Sequence, residues 1–468
     1  MKEPRLIELD GRTGEGGGQL VRIAVALASV LSQPIRITHV RGNREGPRGG
    51  GKYPRSSPSV ALGEETRNKK QKGEREKGRE NKYVMLISAP KGLKNQHFAA
   101  IQWLAAATDA QVTGLAVGSH TLEFRPRRKP SDLASRRITI ASESPAASTL
   151  LIFQAVFPFL LFAGGDAGGG AGPIELELSG GTNVAFSLTY EYLDQVLLPA
   201  LEERFGVVVE RTRTGRGWSL GALSRGTISL KFAPLAPGTT LKPRSSPAVQ
   251  PSDFEVRTVD VSVVAPSDMH EPLTKALVRD LGSLFPDADV EFKLMEESGR
   301  DSRVYVLLVA RSASLRWGRD ILTSVPKKAK SKSAISDAFS RQVAKDLYRE
   351  VRRRGVVDEF LQDQLVVFQA LAEGRTSFPR SEEGDTDDTD IADALAGLRI
   401  GEGDEGLKKV KKIYEPFGQG STHTTTARWV TAELLPGATW YNNGSVCDGA
   451  GIRMPLSWEP DEGTSTGA

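Results

Sequence analysis

The sequence is poor in cysteine and in long apolar runs, and both shortages restrict the class of protein. Cys447 is the single cysteine of the 468-residue chain, so no intramolecular disulfide can form and we expect a reducing compartment. The most apolar run, 150–163, contains Gln154 and Pro158. It is too short for a transmembrane helix and predicts a buried one. Because residues 1–5 lead directly into a predicted strand, we expect neither secretion nor a membrane partner.

The common nucleotide-binding motifs are also missing. No predicted strand is followed by GxxxxGK[ST], and Gln19 stands where a dinucleotide fingerprint starting at Gly14 would need its third glycine. Charged residues make up 26% of the chain and hydrophobic residues 39%, with a net charge of +4. This composition is ordinary for a globular protein, and its mild basic bias is compatible with an RNA partner without indicating one.

A glycine cluster between a predicted strand and a predicted helix is the most informative segment present. Gly16, Gly17 and Gly18 follow the apolar run 6–9 and precede the apolar helix 20–31. Glycines at such a turn let backbone N–H groups approach a phosphate, and the helix N-terminus adds positive potential. Glu15 lies within the cluster, and a carboxylate beside phosphate requires a divalent cation between them. The alternative is an ordinary glycine-rich turn.

Apolar periodicity predicts alternating strands and helices along most of the chain. The repeated βα units predict an α+β fold of layered sheets with helices on one face. The predicted strands are 5–9, 35–40, 121–125, 136–141, 174–178, 256–264, 288–295 and 303–309, and the predicted helices are 19–31, 95–108, 146–162, 188–205, 271–284 and 334–353.

Two segments are too polar to predict a folded structure. The first, 52–90, is rich in Lys, Arg and Glu, and the second, 381–412, opens with an acidic run. Such composition cannot bury enough apolar surface to offset the entropy of ordering, so we expect disordered insertions. The first separates Gly51 from the predicted helix 95–108, and we expect its deletion to preserve the fold. Its basic tract could alternatively contact RNA.

Six short blocks follow one another along the chain: EGGGQxxR at 15–22, RGNR at 41–44, GLKNQH at 92–97, SGGTN at 179–183, DQL at 363–365 and STHT at 421–424. One family has these blocks in the same order, and the sequence therefore resembles the RNA 3′-terminal phosphate cyclases over nearly its whole length. The resemblance implies a large domain, 1–239 and 353–468, built from repeats related to a translation-initiation-factor C-terminal fold, with a smaller α/β domain inserted at 240–352.

The resemblance implies an ATP-dependent enzyme that converts an RNA 3′-phosphate into a 2′,3′-cyclic phosphate. The implied route is a covalent histidine–AMP intermediate followed by an RNA adenylate. His423 matches the nucleophile, which must be neutral and keep one ring nitrogen unprotonated. The alternative role for His423 is a surface or helix-capping residue ahead of a predicted helix at 428–436. We expect His39, in an apolar strand, to belong to the core.

The same resemblance assigns the binding residues. Glu15 is expected to hold Mg²⁺ or Mn²⁺ against the triphosphate. Two departures concern the adenine site, because Phe360 stands where the family usually has tyrosine and Leu188 stands near a usual proline. The expected nucleotide-binding residues are Gln154, Phe360, Asp363, Gln364, Gln96, His97, Gly16, Gly17 and Gly18, and the expected RNA phosphate-binding residues are Arg22, Arg41 and Arg44.

Two other functions share related folds. One is a non-catalytic cyclase-like protein in ribosome biogenesis and rRNA processing, which lacks the active-site histidine; His423, Glu15 and the arginines argue against it. The other is a small-molecule enolpyruvyl transferase, in which the block around His423 has no role. For the cyclase we expect a nuclear location (nucleoplasm or nucleolus) or a cytoplasmic one. The sequence leaves the oligomeric state open.

Overall fold

The structure is a computed structural model that describes residues 4–43, 92–165, 172–220, 222–244, 249–300, 303–325, 331–380 and 418–454. The predicted insertions 52–90 and 381–412 lie outside these residues, as does Arg44, so the expectations about them stay predictions. Among the described residues no helix combines the length and the apolar character that crossing a bilayer requires.

The first two sheets repeat one arrangement of strands. In each, a parallel pair is joined through a helix and the remaining two strands add antiparallel, which gives the orders β1-β2-β4-β3 and β5-β6-β8-β7. The first unit comprises β1 (Ile7–Asp10), α1 (Gly18–Leu31), β2 (Ile35–Thr38), α2 (Asn95–Ala107), β3 (Gln111–Thr113) and β4 (Leu122–Arg125). The second comprises β5 (Arg137–Ala141), α3 (Thr149–Leu161), β6 (Ile174–Gly180), α4 (Tyr190–Tyr192), a π-helical segment (Leu193–Leu197), α5 (Leu198–Phe205), β7 (Val209–Gly215) and β8 (Gly226–Phe232).

The third sheet has a different order, β10-β9-β11-β12, and two long helices pack against each other beside it. It falls within the predicted inserted domain, whose boundaries stay a prediction. A last sheet, β13-β15-β14, follows. The strands of the third sheet are β9 (Thr258–Ala265), β10 (Asp289–Glu297), β11 (Arg303–Arg311) and β12 (Arg316–Ser324), and its helices are α6 (Ser267–Leu284) and α7 (Lys332–Arg352). The strands of the last sheet are β13 (Glu373–Ser377), β14 (Thr439–Tyr441) and β15 (Val446–Ala450), and the helices of this part of the chain are α8 (Glu359–Leu371) and α9 (Thr422–Leu434).

Helices α1, α3, α8 and α9 pack together beside the first two sheets and the last sheet. Helix α1 packs against α3 and α9, and α9 also packs against α8. Helix α1 is buried from Gln19 to Val30, so two polar side chains, Gln19 and Arg22, enter the core at its N-terminal end. Buried polar groups require partners, and the partners of these two belong to the neighbouring helices.

The predicted fold class, α+β with repeated βα units, is confirmed. Every predicted strand and helix has a counterpart, with ends displaced by a few residues. Among the strands that were not predicted, β3, β7, β12, β13 and β14 lie at sheet edges, whereas β8 and β15 lie inside their sheets. Helix α9 starts at Thr422 rather than at 428, because Ser421 accepts a hydrogen bond from the Thr424 N–H and caps the threonine-rich first turn.

Candidate active site

His423 and Gln19 are hydrogen-bonded to each other. His423 lies in the first turn of α9 with its side chain 47% exposed, and its Nδ1 meets Oε1 of Gln19. An amide oxygen can only accept, so Nδ1 carries the proton and the lone pair of the neutral ring lies on Nε2. The Gln19 amide nitrogen donates to Oδ2 of Asp363 at 3.3 Å. This second bond fixes the orientation of the amide.

Glu15 is close to the same imidazole. Its Oε2 lies 3.6 Å from Nδ1 of His423, and its backbone N–H donates to Oγ1 of Thr426 at 3.0 Å, which joins the glycine turn to α9. Among the described residues no group of three or more His, Cys, Asp or Glu could hold a metal ion. One carboxylate still fits Mg²⁺, which typically takes one or two protein carboxylates and completes its shell with phosphates and water.

The glycines of the turn are required by the side chains around them. A Cβ on Gly17 would lie 2.2 Å from Oε1 of Glu15, and one on Gly18 would lie 2.3 Å from Nε2 of His97. Gly16 has a φ of +57°, and a Cβ on it would lie 2.3 Å from Cβ of Asn43. A larger residue at any of the three would therefore displace a neighbouring side chain. Contact of their backbone with a phosphate stays a prediction.

The buried side chains of Arg22 and His97 and the partly buried Gln154 form a polar group beside the turn. Nε of Arg22 donates to Oε1 of Gln154 at 2.5 Å, and Nη1 lies 3.3 Å from Nε2 of His97. Burial lowers the pKa of Arg22 to about 10, despite the opposing effect of Asp363. Burial, with the positive charges of Arg22, Arg41 and Lys94, holds the pKa of His97 well below its usual value. At neutral pH the group is thus one cation with two neutral partners.

Arg41 reaches the site from the end of β2. It has a φ of +56° and is 8% exposed, and its Nη1 donates to the Gly92 carbonyl at 3.3 Å. Burial lowers its pKa. The expectation that His39 is a core residue is wrong. Strand β2 ends at Thr38, and His39 takes a left-handed conformation that leaves its side chain 55% exposed, 3.4 Å from Asp10.

Helix α8 carries three of the predicted nucleotide-binding residues. Asp363 is joined to Gln19 and accepts from Nε2 of Gln364 at 2.6 Å. Burial raises the pKa of Asp363, although His423, Gln364, Arg22 and Gln19 oppose that rise. Phe360 is 38% exposed, as a ring that stacks on a base must be. Gln96 is partly exposed in the first turn of α2, next to His97.

The structure therefore gathers most of the predicted residues at one place. Gln19 lies in a sequence block, but no role in the site was predicted for it. No sequence pattern predicted the contact of Thr426 with Glu15. An oriented imidazole, buried guanidinium groups and a carboxylate beside it suit the transfer of a phosphate-bearing group. Direct contacts link Glu15, Gln19, Asp363, Gln364 and His423 in one group, and Arg22, His97 and Gln154 in a second.

The layered repeats and this site define an enzyme that acts on phosphates. A family model described as "RNA 3′-terminal phosphate cyclase" matches residues 13–51 and 49–394, and the chain belongs to this family. Family members are ATP-dependent enzymes of the ligase type. The prediction that this chain is such an enzyme is therefore confirmed. His423 lies beyond the matched residues, so its assignment depends on its sequence block and its contacts.

Curated archaeal proteins named RNA 3′-terminal phosphate cyclase are similar to the chain over most of its length. The protein of Thermococcus gammatolerans is 28% identical over 79% of this chain and 86% of its own. The Methanosarcina mazei protein is 29% identical over 80% of this chain and 89% of its own. The Pyrobaculum aerophilum protein is 26% identical over 81% of this chain and 88% of its own. The relatives thus align with nearly the whole architecture rather than with one motif.

Proposed function

We propose that the protein uses ATP to convert the 3′-phosphate end of an RNA into a 2′,3′-cyclic phosphate. In the first step Nε2 of His423 attacks the α-phosphorus of ATP and pyrophosphate leaves, which forms a His423–AMP bond. An oxygen of the RNA 3′-phosphate then displaces the histidine and forms an RNA adenylate. Finally the neighbouring 2′-hydroxyl attacks the terminal phosphorus, loses its proton to water, and releases AMP.

The observation that carries this proposal is the bond between Gln19 and His423. A nucleophilic imidazole needs its proton on one nitrogen and its lone pair on the other, held toward the phosphorus. Gln19 is 1% exposed and tied to Asp363, so it selects the Nδ1–H tautomer. A surface or helix-capping histidine has no need of a buried amide that fixes its tautomer.

The arginines are assigned to phosphate oxygens. Arg22 is buried yet still positively charged at neutral pH, and its side chain contacts an amide and an imidazole. A buried cation is costly unless an anion accompanies it, and a phosphate with several acceptor oxygens suits a guanidinium fork. We assign Arg22 and Arg41, together with Arg44, to the RNA 3′-phosphate, with Gln96 and His97 beside a phosphate or AMP.

The nucleotide is assigned to the surface between the glycine turn and α8. Gly16, Gly17 and Gly18 border the triphosphate, and Glu15 holds Mg²⁺ or Mn²⁺, which neutralises charge on the phosphates. Phe360 stacks on the adenine, while Asp363, Gln364 and Gln154 line the AMP. A carboxylate close to His423 would repel a bare triphosphate, so the metal at Glu15 is part of the proposal.

Labelling of the protein with α-³²P-ATP and Mg²⁺ or Mn²⁺ tests the proposal. We expect a covalent adduct that is acid-labile and base-stable, as a phosphoramidate is. His423→Ala should abolish the adduct, whereas His39→Ala, which removes an exposed histidine, should retain it. Equal labelling of wild type and His423→Ala would refute the mechanism. A wild-type protein that is never labelled would favour the non-catalytic role in ribosome biogenesis and rRNA processing.

For the location we propose the nucleus or the cytoplasm. An N- and a C-terminal fluorescent fusion, each checked for cyclase activity, would test this in cells of the source organism. A secreted or membrane-associated fusion would contradict it.

A further inference from the structure

The ring of Phe360 lies against a buried arginine of the third sheet. The guanidinium carbon of Arg319, on β12, is 4.4 Å from the ring centroid, which is close for a cation above an aromatic face. The ring of Tyr192 meets the same ring edge-on at 6.2 Å. Phe360 nevertheless remains 38% exposed. One face of the ring is therefore covered by a cation while part of the ring stays accessible.

Arg319 itself is held rigidly. Its Nη2 donates to Glu350 and lies 3.3 Å from Oε2 of Glu359, and its Nη1 donates to the Gly318 carbonyl at 3.0 Å. Burial disfavours the charged form, but the carboxylates of Glu350, Asp358 and Glu359 outweigh it and raise the pKa of Arg319. The guanidinium plane is thus both charged and fixed before any ligand arrives.

The same contacts join β12 to the start of α8. Oδ1 of the fully buried Asp358 accepts from the backbone N–H groups of Phe360 and Leu361, both at 2.9 Å, and from the Tyr192 hydroxyl at 2.6 Å. Its Oδ2 accepts from the Gly318 N–H at 2.9 Å. The helix that carries Phe360 and Asp363 is therefore docked on the strand that carries Arg319.

We propose that Arg319 is a positioning residue that holds the Phe360 ring in place for stacking on the base of the bound nucleotide. The proposal rests on the proposed function, in which that base lies on Phe360. A phenylalanine has no hydroxyl with which to anchor itself, and the guanidinium supplies the restraint from the opposite face. A cation on one face also draws electron density from the ring, which favours stacking of an electron-rich purine on the other.

Arg380 provides a matched control. It also binds Glu350, with Nε and Nη2 at 3.1 and 2.7 Å, and its side chain is 5% exposed. Among the cation–ring pairs of the described residues, however, the cation over Phe360 is Arg319. Arg380→Gln therefore disturbs the same buried carboxylates without removing the contact with the ring.

The experiment measures single-turnover formation of protein–AMP against ATP concentration, with melting temperature as a check on folding. Arg319→Gln should raise the half-saturating ATP concentration about 3- to 10-fold, the range expected for one cation–π contact, and leave the maximal rate within about 2-fold. The preference for ATP over CTP should fall, because the smaller pyrimidine gains less from an ordered ring. Arg380→Gln should lower the melting temperature but leave half-saturation unchanged.

A double-mutant cycle separates positioning from general support of the fold. Phe360→Leu removes the ring, so Arg319→Gln should add no further loss of ATP affinity in that background. Equal losses with and without the ring, or equal shifts for Arg319→Gln and Arg380→Gln, would overturn the inference while leaving the proposed function intact. Failure of wild type to form any adduct would instead refute the proposed function. If Arg319→Gln does not fold, Arg319→Lys replaces it and should give an intermediate shift.

Discussion

Gln19 in helix α1 accepts a hydrogen bond from Nδ1 of His423 in helix α9, a contact between residues 404 positions apart in the chain. The amide nitrogen of the same Gln19 side chain is bonded to Asp363 of α8. Three helices thus define the tautomer of one imidazole. The position of the lone pair on Nε2 depends on their packing as much as on His423 itself.

Replacement of Gln19 should slow formation of the adduct without unfolding the protein. In Gln19→Leu the imidazole loses its orienting acceptor, and we expect a fall of about 100-fold in the single-turnover rate. Gln369→Leu is the matched control, because it removes a buried glutamine of α8 whose partner is Thr376, at 2.9 Å. Gln19→Glu keeps an acceptor and should recover part of the rate, most clearly at higher pH. Equal rates for Gln19→Leu and wild type would remove Gln19 from the mechanism.

His97 should make stability depend on pH between about 5 and 7. Its pKa is lowered in the folded protein, mainly by burial, so the unfolded chain binds the proton first as pH falls below about 6.5. The contribution of neutral His97 to the free energy of unfolding is therefore fully present above about pH 6.5 and declines below it. We expect wild type to lose about 1 kcal/mol more than His97→Gln between pH 7.5 and 5.5, measured by urea unfolding. His39→Gln should follow wild type, and parallel curves for His97→Gln and wild type would contradict the argument.

Much of the fold could be predicted from local sequence. Helix α1 and strand β6 have strong periodicity and definite ends, and both lie where they were expected. The edge strands β7 and β12 were not predicted, because charged residues interrupt the alternation of apolar and polar residues in both. The interior strand β8 was missed even though Ile228, Leu230 and Phe232 alternate at buried positions. That signal was available in the sequence.

The site could be predicted less completely. The sequence blocks predict roles for His423 and Arg22, which stay predictions, but a block gives residues without their partners. The contacts of Gln19 with His423 and of Thr426 with Glu15 depend on how α1 meets α9, which no local pattern encodes. His39 was misplaced because apolar neighbours suggested a longer strand than the backbone forms. The stacking of Arg319 on Phe360 likewise arises from the docking of β12 beside α8.

Substitution of Gly17 should change the requirement for metal. A Cβ at this position overlaps the Glu15 carboxylate, whose Oε1 would be 2.2 Å away, so Gly17→Ala must displace the proposed metal ligand. We expect a higher half-maximal Mg²⁺ concentration for adduct formation, with partial recovery at saturating Mg²⁺. Gly282→Ala in α6 is the control, because a Cβ there meets nothing within 4 Å and alanine favours the helix. An unchanged Mg²⁺ titration for Gly17→Ala would argue against Glu15 as the ligand.

Arg22 should be needed for the RNA step more than for the protein–AMP step. Its guanidinium donates Nε–H to Gln154, holds Nη1 3.3 Å from Nε2 of His97 and can still present a further N–H to a phosphate. The single ammonium of lysine cannot reproduce this arrangement. Arg22→Lys should therefore retain protein–AMP formation, yet lose at least about 100-fold in cyclisation of RNA ending in 3′-phosphate. Arg12→Lys, which alters an exposed arginine paired with Asp10, should behave like wild type. In binding assays wild type should favour the 3′-phosphate end over the 3′-hydroxyl end, and Arg22→Lys should lose this preference. If the variant keeps it and cyclises RNA normally, the RNA phosphate lies elsewhere.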